Sequence, residues 1–153
     1  MLIIRRAKPD DIENLQKLNQ EVFIDNHKYD DDLRMDWAIS EKGKKYFTRL
    51  VKDKNSVCLM AFADGKPVAY IACGLKDFDY RKSKNLELQN MGTIPEYRSK
   101  GIGSKLIMKV KEWGKRQGFK RIYVNSYFHN HRAIKFYKKN AFAEIDLSLE
   151  MKI

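Results

Sequence analysis

The residues best suited to hold a charged ligand sit together in Pro95–Ser104, which reads P-E-Y-R-S-K-G-I-G-S. Gly101 and Gly103 carry no Cβ, so a ligand can lie directly on the backbone there. The spacing of apolar residues beyond them predicts a helix opening near Gly101. The first amides of a helix have no intrahelical partner and stand at the positive end of its dipole. Arg98 and Lys100 add formal charge beside those amides. A strand-like run ending near Ile94, a basic glycine-containing turn and a helix N-terminus together describe an anion site, best suited to phosphate.

The elements that must position this stretch follow from periodicity. Residues 2–6 form a first strand. Pro9 fits the first turn of a helix running to about Ile24, with Ile12, Leu15, Leu18, Val22 and Phe23 on one face. From Asp25 to Ser40 the pattern dissolves into a polar loop, and loops of that length in compact domains are often functional. A second helix covers 41–52. Strands at 56–63 and 67–75 are joined by the hairpin turn D-G-K, and the apolar run V-A-Y-I-A-C-G-L belongs in the centre of a sheet. A further strand spans 86–94, where Gly92 marks a bulge or a close backbone approach. The helix after Gly101 ends at Gly118, residues 121–127 form another strand, and Asn130 caps a helix running through Lys139. From Phe142 to Ile153 apolar and polar residues alternate, predicting a long half-buried strand. The order β-α-α-β-β-β-α-β-α-β implies an α/β (α+β) domain spanning 1–153, with a mixed sheet and helices on its faces.

Charge is segregated along the chain. The net charge is +11, and Arg98–Arg121 holds nine Lys/Arg residues against the single acid Glu112. Such a balance suits a polyphosphate ligand, a nucleic acid or an anionic surface. Glu21–Asp36 is the reverse, with six acids against Lys28 and Arg34. Cys58 and Cys73 lie in apolar runs without metal-ligand spacing, so they read as buried thiols and no metal is expected. No apolar run approaches the length of a membrane span and the N-terminus lacks a signal-peptide core, so the expected location is cytoplasmic, away from membranes.

On these residues the chain resembles the GNAT superfamily of acyl-CoA-dependent N-acetyltransferases. Arg98, Gly101 and Gly103 match the family's Arg/Gln-x-x-Gly-x-Gly/Ala motif. Asn130, Ala133 and Tyr137 match its Asn-x-x-Ala-x-x-x-Tyr segment, and the element order agrees over essentially the whole chain. The resemblance implies a mixed, mostly antiparallel sheet of roughly six to seven strands with about four helices. It implies acetyl-CoA as cosubstrate. The backbone of Arg98, Ser99, Lys100, Gly101, Ile102, Gly103 and Ser104 would hold its pyrophosphate, with Asn130 and Ala133 alongside. The main chain of Met91, Gly92 and Thr93 would pair with pantetheine, where the strand separates from its neighbour at a bulge. Tyr137 takes the place of the general acid that protonates the leaving thiolate, and Glu87 that of a general base acting directly or through water. The sequence departs from the family at Gln89, where relatives often carry a carboxylate, and at Ser99, where glycine is frequent.

The family's acceptor pocket borders the acidic loop. Tyr29, Asp30, Asp31, Asp32 and Trp37 would there attract and stack on a cationic amine: a polyamine, an amino sugar, a lysine or a peptide N-terminus. Two other classes stay open on sequence alone, a non-catalytic acyl-CoA sensor and a basic nucleic-acid-binding module. The second has no zinc spacing, RNP-like segment or helix-turn-helix pattern behind it. The alternating segment ending at Ile153 fits equally an outer strand of its own sheet and pairing with a second copy in a homodimer.

Overall fold

The structure, a computed structural model, describes residues 1–153. Strand β1 (Leu2–Arg6) leads through a short turn at Pro9–Asp11 into helix α1 (Ile12–Asn26), and α2 (Glu41–Lys52) follows the acidic loop. Strands β2 (Val57–Ala63), β3 (Lys66–Lys76) and β4 (Asn85–Thr93) come next. Helix α3 (Ile102–Arg116), strand β5 (Arg121–Val124) and helix α4 (His131–Lys139) complete the order. The strands lie side by side as β1-β2-β3-β4-β5. Neighbours are antiparallel from β1 to β4, and β5 runs parallel to β4.

Both faces of this sheet are covered. Side chains alternate across a strand, so Val57, Leu59 and Ala61 of β2 face Ile102, Leu106 and Val110 of α3. Cys58 and Met60 face the other way, against Leu15, Leu18, Phe47 and Leu50 of α1 and α2. The near-continuous apolar character of β3 follows from burial on both sides. Cys73 packs in the α3 layer and Cys58 in the α1/α2 layer, so the sheet itself separates the two free thiols. At the start of α1, Arg5 makes a two-pronged contact with Asp11 (2.7 and 3.0 Å), which holds that carboxyl below its ordinary pKa and ties β1 to the helix.

Three features differ from what the sequence predicts. The sheet has five strands because residues 143–153 form none: they make no backbone–backbone hydrogen bond and lie exposed. Alternation specifies a face but supplies no partner strand. Strand β5 ends at Val124, short of Tyr127. The third difference lies in β4. Ala72 stands opposite Asn90 and Cys73 opposite Leu88, so the extra residue of the bulge is Gln89, not Gly92. Gly92 meets the other of the two needs its position allowed, close approach: a Cβ there would meet Val22 Cγ2 of α1 at 2.7 Å and Tyr70 Cε1 at 3.3 Å.

That contact yields a prediction about stability. Gly92→Ala must push α1 off β4 and should destabilise the protein by about 1–3 kcal/mol. A urea titration measures it; an unchanged midpoint would mean that α1 yields freely.

Candidate active site

Pairing between β4 and β5 runs from Asn85/Arg121 to Leu88/Val124 and then stops. Beyond it the bulge at Gln89 turns β4 away, and its far edge faces an open cleft of about 780 Å³. Backbone groups alternate sides along a strand. The Ile94 amide donates to Val68 O on the β3 side (2.9 Å), so the amides of Met91 and Thr93 turn toward the cleft. The Thr93 carbonyl, on that same edge, accepts from Arg98 Nε (2.8 Å). Arg98 also binds Asp25 Oδ2 of α1. Its guanidinium therefore acts as a brace between β4 and α1, with less of its charge free for a ligand.

At the mouth of the cleft the chain turns from β4 into α3. The amides of residues 99–104 donate to no protein acceptor; hydrogen bonding resumes when Lys105 N donates to Gly101 O (3.1 Å). Six consecutive free donors at the positive end of a 15-residue helix make a strong anion cradle. Ser99 (φ +61°) and Gly101 (φ +78°) both adopt the left-handed conformation that curls the turn. At Gly101 an added Cβ would meet nothing, so glycine serves the backbone angle and leaves the approach open. At Gly103 an added Cβ would strike Phe136 Cζ at 2.9 Å, so this glycine lets α4 close on α3. Asn130 caps α4 by accepting from the Ala133 amide (3.1 Å), which fixes the wall that carries Tyr137.

Tyr137 borders the cleft and its hydroxyl has no hydrogen-bond partner in the protein. Burial pushes its pKa up to about 12, so it stays protonated at neutral pH and has a proton to give. Behind β4 runs a polar chain, buried at Asn19 and Tyr70 and exposed at Gln89. Asn19 Nδ2 donates to Tyr70 O–η (2.7 Å), Asn90 Nδ2 to Tyr46 O–η (3.0 Å), and the Tyr46 hydroxyl to Gln89 Oε1. This chain holds the bulge residue and its neighbour, and burial raises the pKa of Tyr46 and of Tyr70.

The predicted site residues divide into two groups. Met91, Gly92, Thr93, Arg98, Ser99, Gly101, Ile102, Gly103, Ser104, Asn130, Ala133, Tyr137 and Tyr29 all border the one cleft. Lys100 points elsewhere, over the Tyr97 ring at 4.9 Å. Glu87 lies outside the cleft lining on the partly buried α1/α2 side, 3.5 Å from Lys76 Nζ. Trp37 is packed between Phe23 and Tyr46, with ring centroids 5.8 and 5.6 Å away. Asp30 accepts from the Tyr127 hydroxyl (2.9 Å), while Asp31 and Asp32 are exposed on the loop. Sequence reasoning missed Tyr127. It stacks on Tyr29 at 6.0 Å, and burial together with Asp30 pushes its pKa up to about 12. It also missed Gln16 and Gln20, spaced one helical turn apart, whose amides anchor the acidic loop through the carbonyls of Ala38 and Met35 (3.0 and 2.8 Å).

Comparison with known proteins gives a consistent result. Residues 12–142 match the acetyltransferase (GNAT) family. An uncharacterised N-acetyltransferase of Archaeoglobus fulgidus is 30% identical over 138 residues, 88% of each chain. The thialysine N-epsilon-acetyltransferase of Bos taurus is 29% identical over 143 residues, 90% of this chain and 81% of the bovine one. Among solved structures, a mutant protein of Bacillus halodurans superposes with a TM-score of 0.86 at 22% identity, covering 99% of both chains.

The two left-handed residues of the cradle should respond in opposite directions. Ser99→Gly removes the cost of a Cβ at φ +61°. It should raise Tm by roughly 2–4 °C per kcal/mol relieved, whereas Gly101→Ala should lower it. Differential scanning calorimetry of both variants checks this. A fall in Tm for Ser99→Gly would show that the serine side chain contributes more than the strain costs.

Proposed function

This chain belongs to the acetyltransferase (GNAT) family and is an acyltransferase, and from that premise we propose its reaction: transfer of the acetyl group of acetyl-CoA to a primary amine of a cationic acceptor, by direct attack in a ternary complex. The observation that carries this reading is the run of six free amides at residues 99–104, opening into the cleft that Tyr137 borders. Acetyl-CoA supplies the activated acyl group. The amides of Ser99 to Ser104 hold its pyrophosphate. The cleft-facing main chain of Met91 and Thr93 pairs with the pantetheine arm, and the Met91 amide is the donor for the thioester oxygen; fixed donors of this kind favour developing negative charge.

Two protons must move. The leaving thiolate, with an ordinary pKa near 8.5, receives a hydrogen bond and then a proton from Tyr137. Burial makes that phenol a weaker acid but guarantees that its proton is present throughout the physiological range. The ammonium of the acceptor must lose a proton before attack. Glu87, outside the cleft lining and beside Lys76, takes it only through intervening water. Asp31 and Asp32 draw the cationic acceptor toward the cleft by field rather than by contact, and Tyr29 with Tyr127 forms an aromatic wall there. The bovine relative is named for the ε-amine of thialysine, which supports a primary amine as acceptor.

Thiol release from acetyl-CoA across a panel of polyamines, aminoglycosides, lysine and peptide N-termini tests the reading. At least one amine should be turned over; none turned over by a chain that binds acetyl-CoA would favour a sensor. Tyr137→Phe should lower kcat by about 10²–10⁴-fold with the KM for acetyl-CoA within a few-fold, and an unchanged kcat would remove the general-acid role. Because Tyr137 titrates at about 12, kcat/KM should rise as the acceptor deprotonates and show no descending limb below about pH 10. A descending limb near pH 8–9 that vanishes in Tyr137→Phe would keep the general-acid role but show that burial does not raise the phenol's pKa. Asp31→Asn with Asp32→Asn should raise the KM for the amine and flatten its salt dependence, leaving kcat in place.

A further inference from the structure

Where β3 leaves the sheet, the protein has caged one of its own ammonium groups. Leu86, Leu88, Ile122 and Val124 pack in the α3 layer. Glu87 and Tyr123, paired across β4 and β5, therefore turn to the opposite face, and Lys76 does the same beyond Cys73. There the Lys76 ammonium lies 3.5 Å from Glu87 Oε2 and 5.6 Å from the ring centroids of both Phe78 and Tyr123. The two rings meet edge to face at 81°, with centroids 5.3 Å apart. A carboxylate and two perpendicular aromatic rings around one nitrogen form a binding site for an alkyl ammonium. The loop that supplies Phe78 is fastened: Arg81 rests on that ring at 4.5 Å and reaches Asn85 Oδ1 at 3.5 Å, while Tyr80 tilts against the ring at 5.7 Å.

The cage adjoins the cleft. Tyr123 Oη accepts from Asn125 Nδ2 (3.3 Å), and Asn125 borders the cleft. Tyr123 also borders a separate groove of about 770 Å³ beyond the edge of β5, where Arg81, Lys111, Lys115, Lys120 and Arg121 turn cations away. A cationic ligand therefore reaches the cage from the cleft side. Met91 lies farther along β4 than Glu87, with the Gln89 bulge between them. At about 3.3 Å per residue the cage and the Met91 amide stand roughly 10 Å apart. An ammonium in the cage is too distant to be the attacking nitrogen. We infer that the cage holds the second ammonium of a linear diamine whose first amine enters the cleft, and that Lys76 fills it in the free protein as a tethered competitor. The Lys76 side chain is 37% exposed on a flexible stem, so it swings into solvent when a diamine arrives. The exchange conserves local charge, because one ammonium leaves Glu87 as another replaces it. Lys76 meets Oε2 alone, which leaves Oε1 open to water. The inference rests on the acetyl-transfer reading for the reacting end and narrows the acceptor to amines with a second cation.

Isothermal calorimetry in the presence of coenzyme A compares diaminooctane with aminooctanol, a monoamine of matched length. Lys76→Met should tighten diaminooctane by about threefold to tenfold, since a tethered competitor is gone, and leave aminooctanol unchanged. Lys82→Met removes a neighbouring exposed charge outside the cage and should change neither ligand. Adding Phe78→Leu to Lys76→Met should erase the gain. No gain in Lys76→Met, or an equal gain in Lys82→Met, would overturn the cage. Thiol release from acetyl-CoA with the same two amines judges the reaction separately. A Lys76-dependent gain in binding without turnover would leave the cage standing and refute acetyl transfer to the other end.

Discussion

Backbone pairing between β4 and β5 stops at Leu88 and Val124, and the polar groups exposed by that break must be satisfied by something. Gln89 causes the break: one extra residue in β4 re-aims the strand just where its parallel neighbour would continue. Asn19, bonded to Tyr70, leads through Asn90 and Tyr46 to Gln89 and holds that bulge from behind, and Gly92 lets α1 press against it. A gap in a sheet is costly unless something with matching main-chain groups enters it. In the proposed reaction an amide-containing arm such as pantetheine would meet that demand, and the free amides at the head of α3 would meet the phosphates at its end.

The charge distribution follows the same geometry. Much of the basic surface belongs to α3 and the groove beyond β5, while Arg98, the formal charge nearest the cradle, is engaged by Thr93 and Asp25. Anion recognition at residues 99–104 therefore depends on main-chain donors more than on side-chain cations. This argues against a nucleic-acid module, in which exposed lysines and arginines carry affinity. Tyr137 fits the arrangement as an unbonded donor in a partly dry wall.

Local signals in the sequence carried the cradle. Left-handed glycine, helix opening and the Asn130 cap are each encoded by a few neighbouring residues, and the structure brings them to one cleft. Long-range partners were not legible. That Asp30 belongs to Tyr127 depends on packing between residues 97 positions apart, and nothing near Trp37 announces Phe23 and Tyr46. Glu87 followed from strand position, but the bulge one residue past Leu88 changes what each face of β4 meets. The tail shows the limit most clearly: its alternation specified a face, yet residues 143–153 form no strand because no partner is supplied.

The central claim is that the amides of residues 99–104 and the cleft edge of β4 receive coenzyme A. Titrating ¹⁵N-labelled protein with acetyl-CoA and following every backbone amide tests it directly. The account predicts saturable shifts that are largest at Ser99–Ser104, followed by Met91 and Thr93, with the groove beyond β5 little changed. Shifts centred on the lysines of α3 or on the β5 groove, with residues 99–104 unmoved, would contradict it.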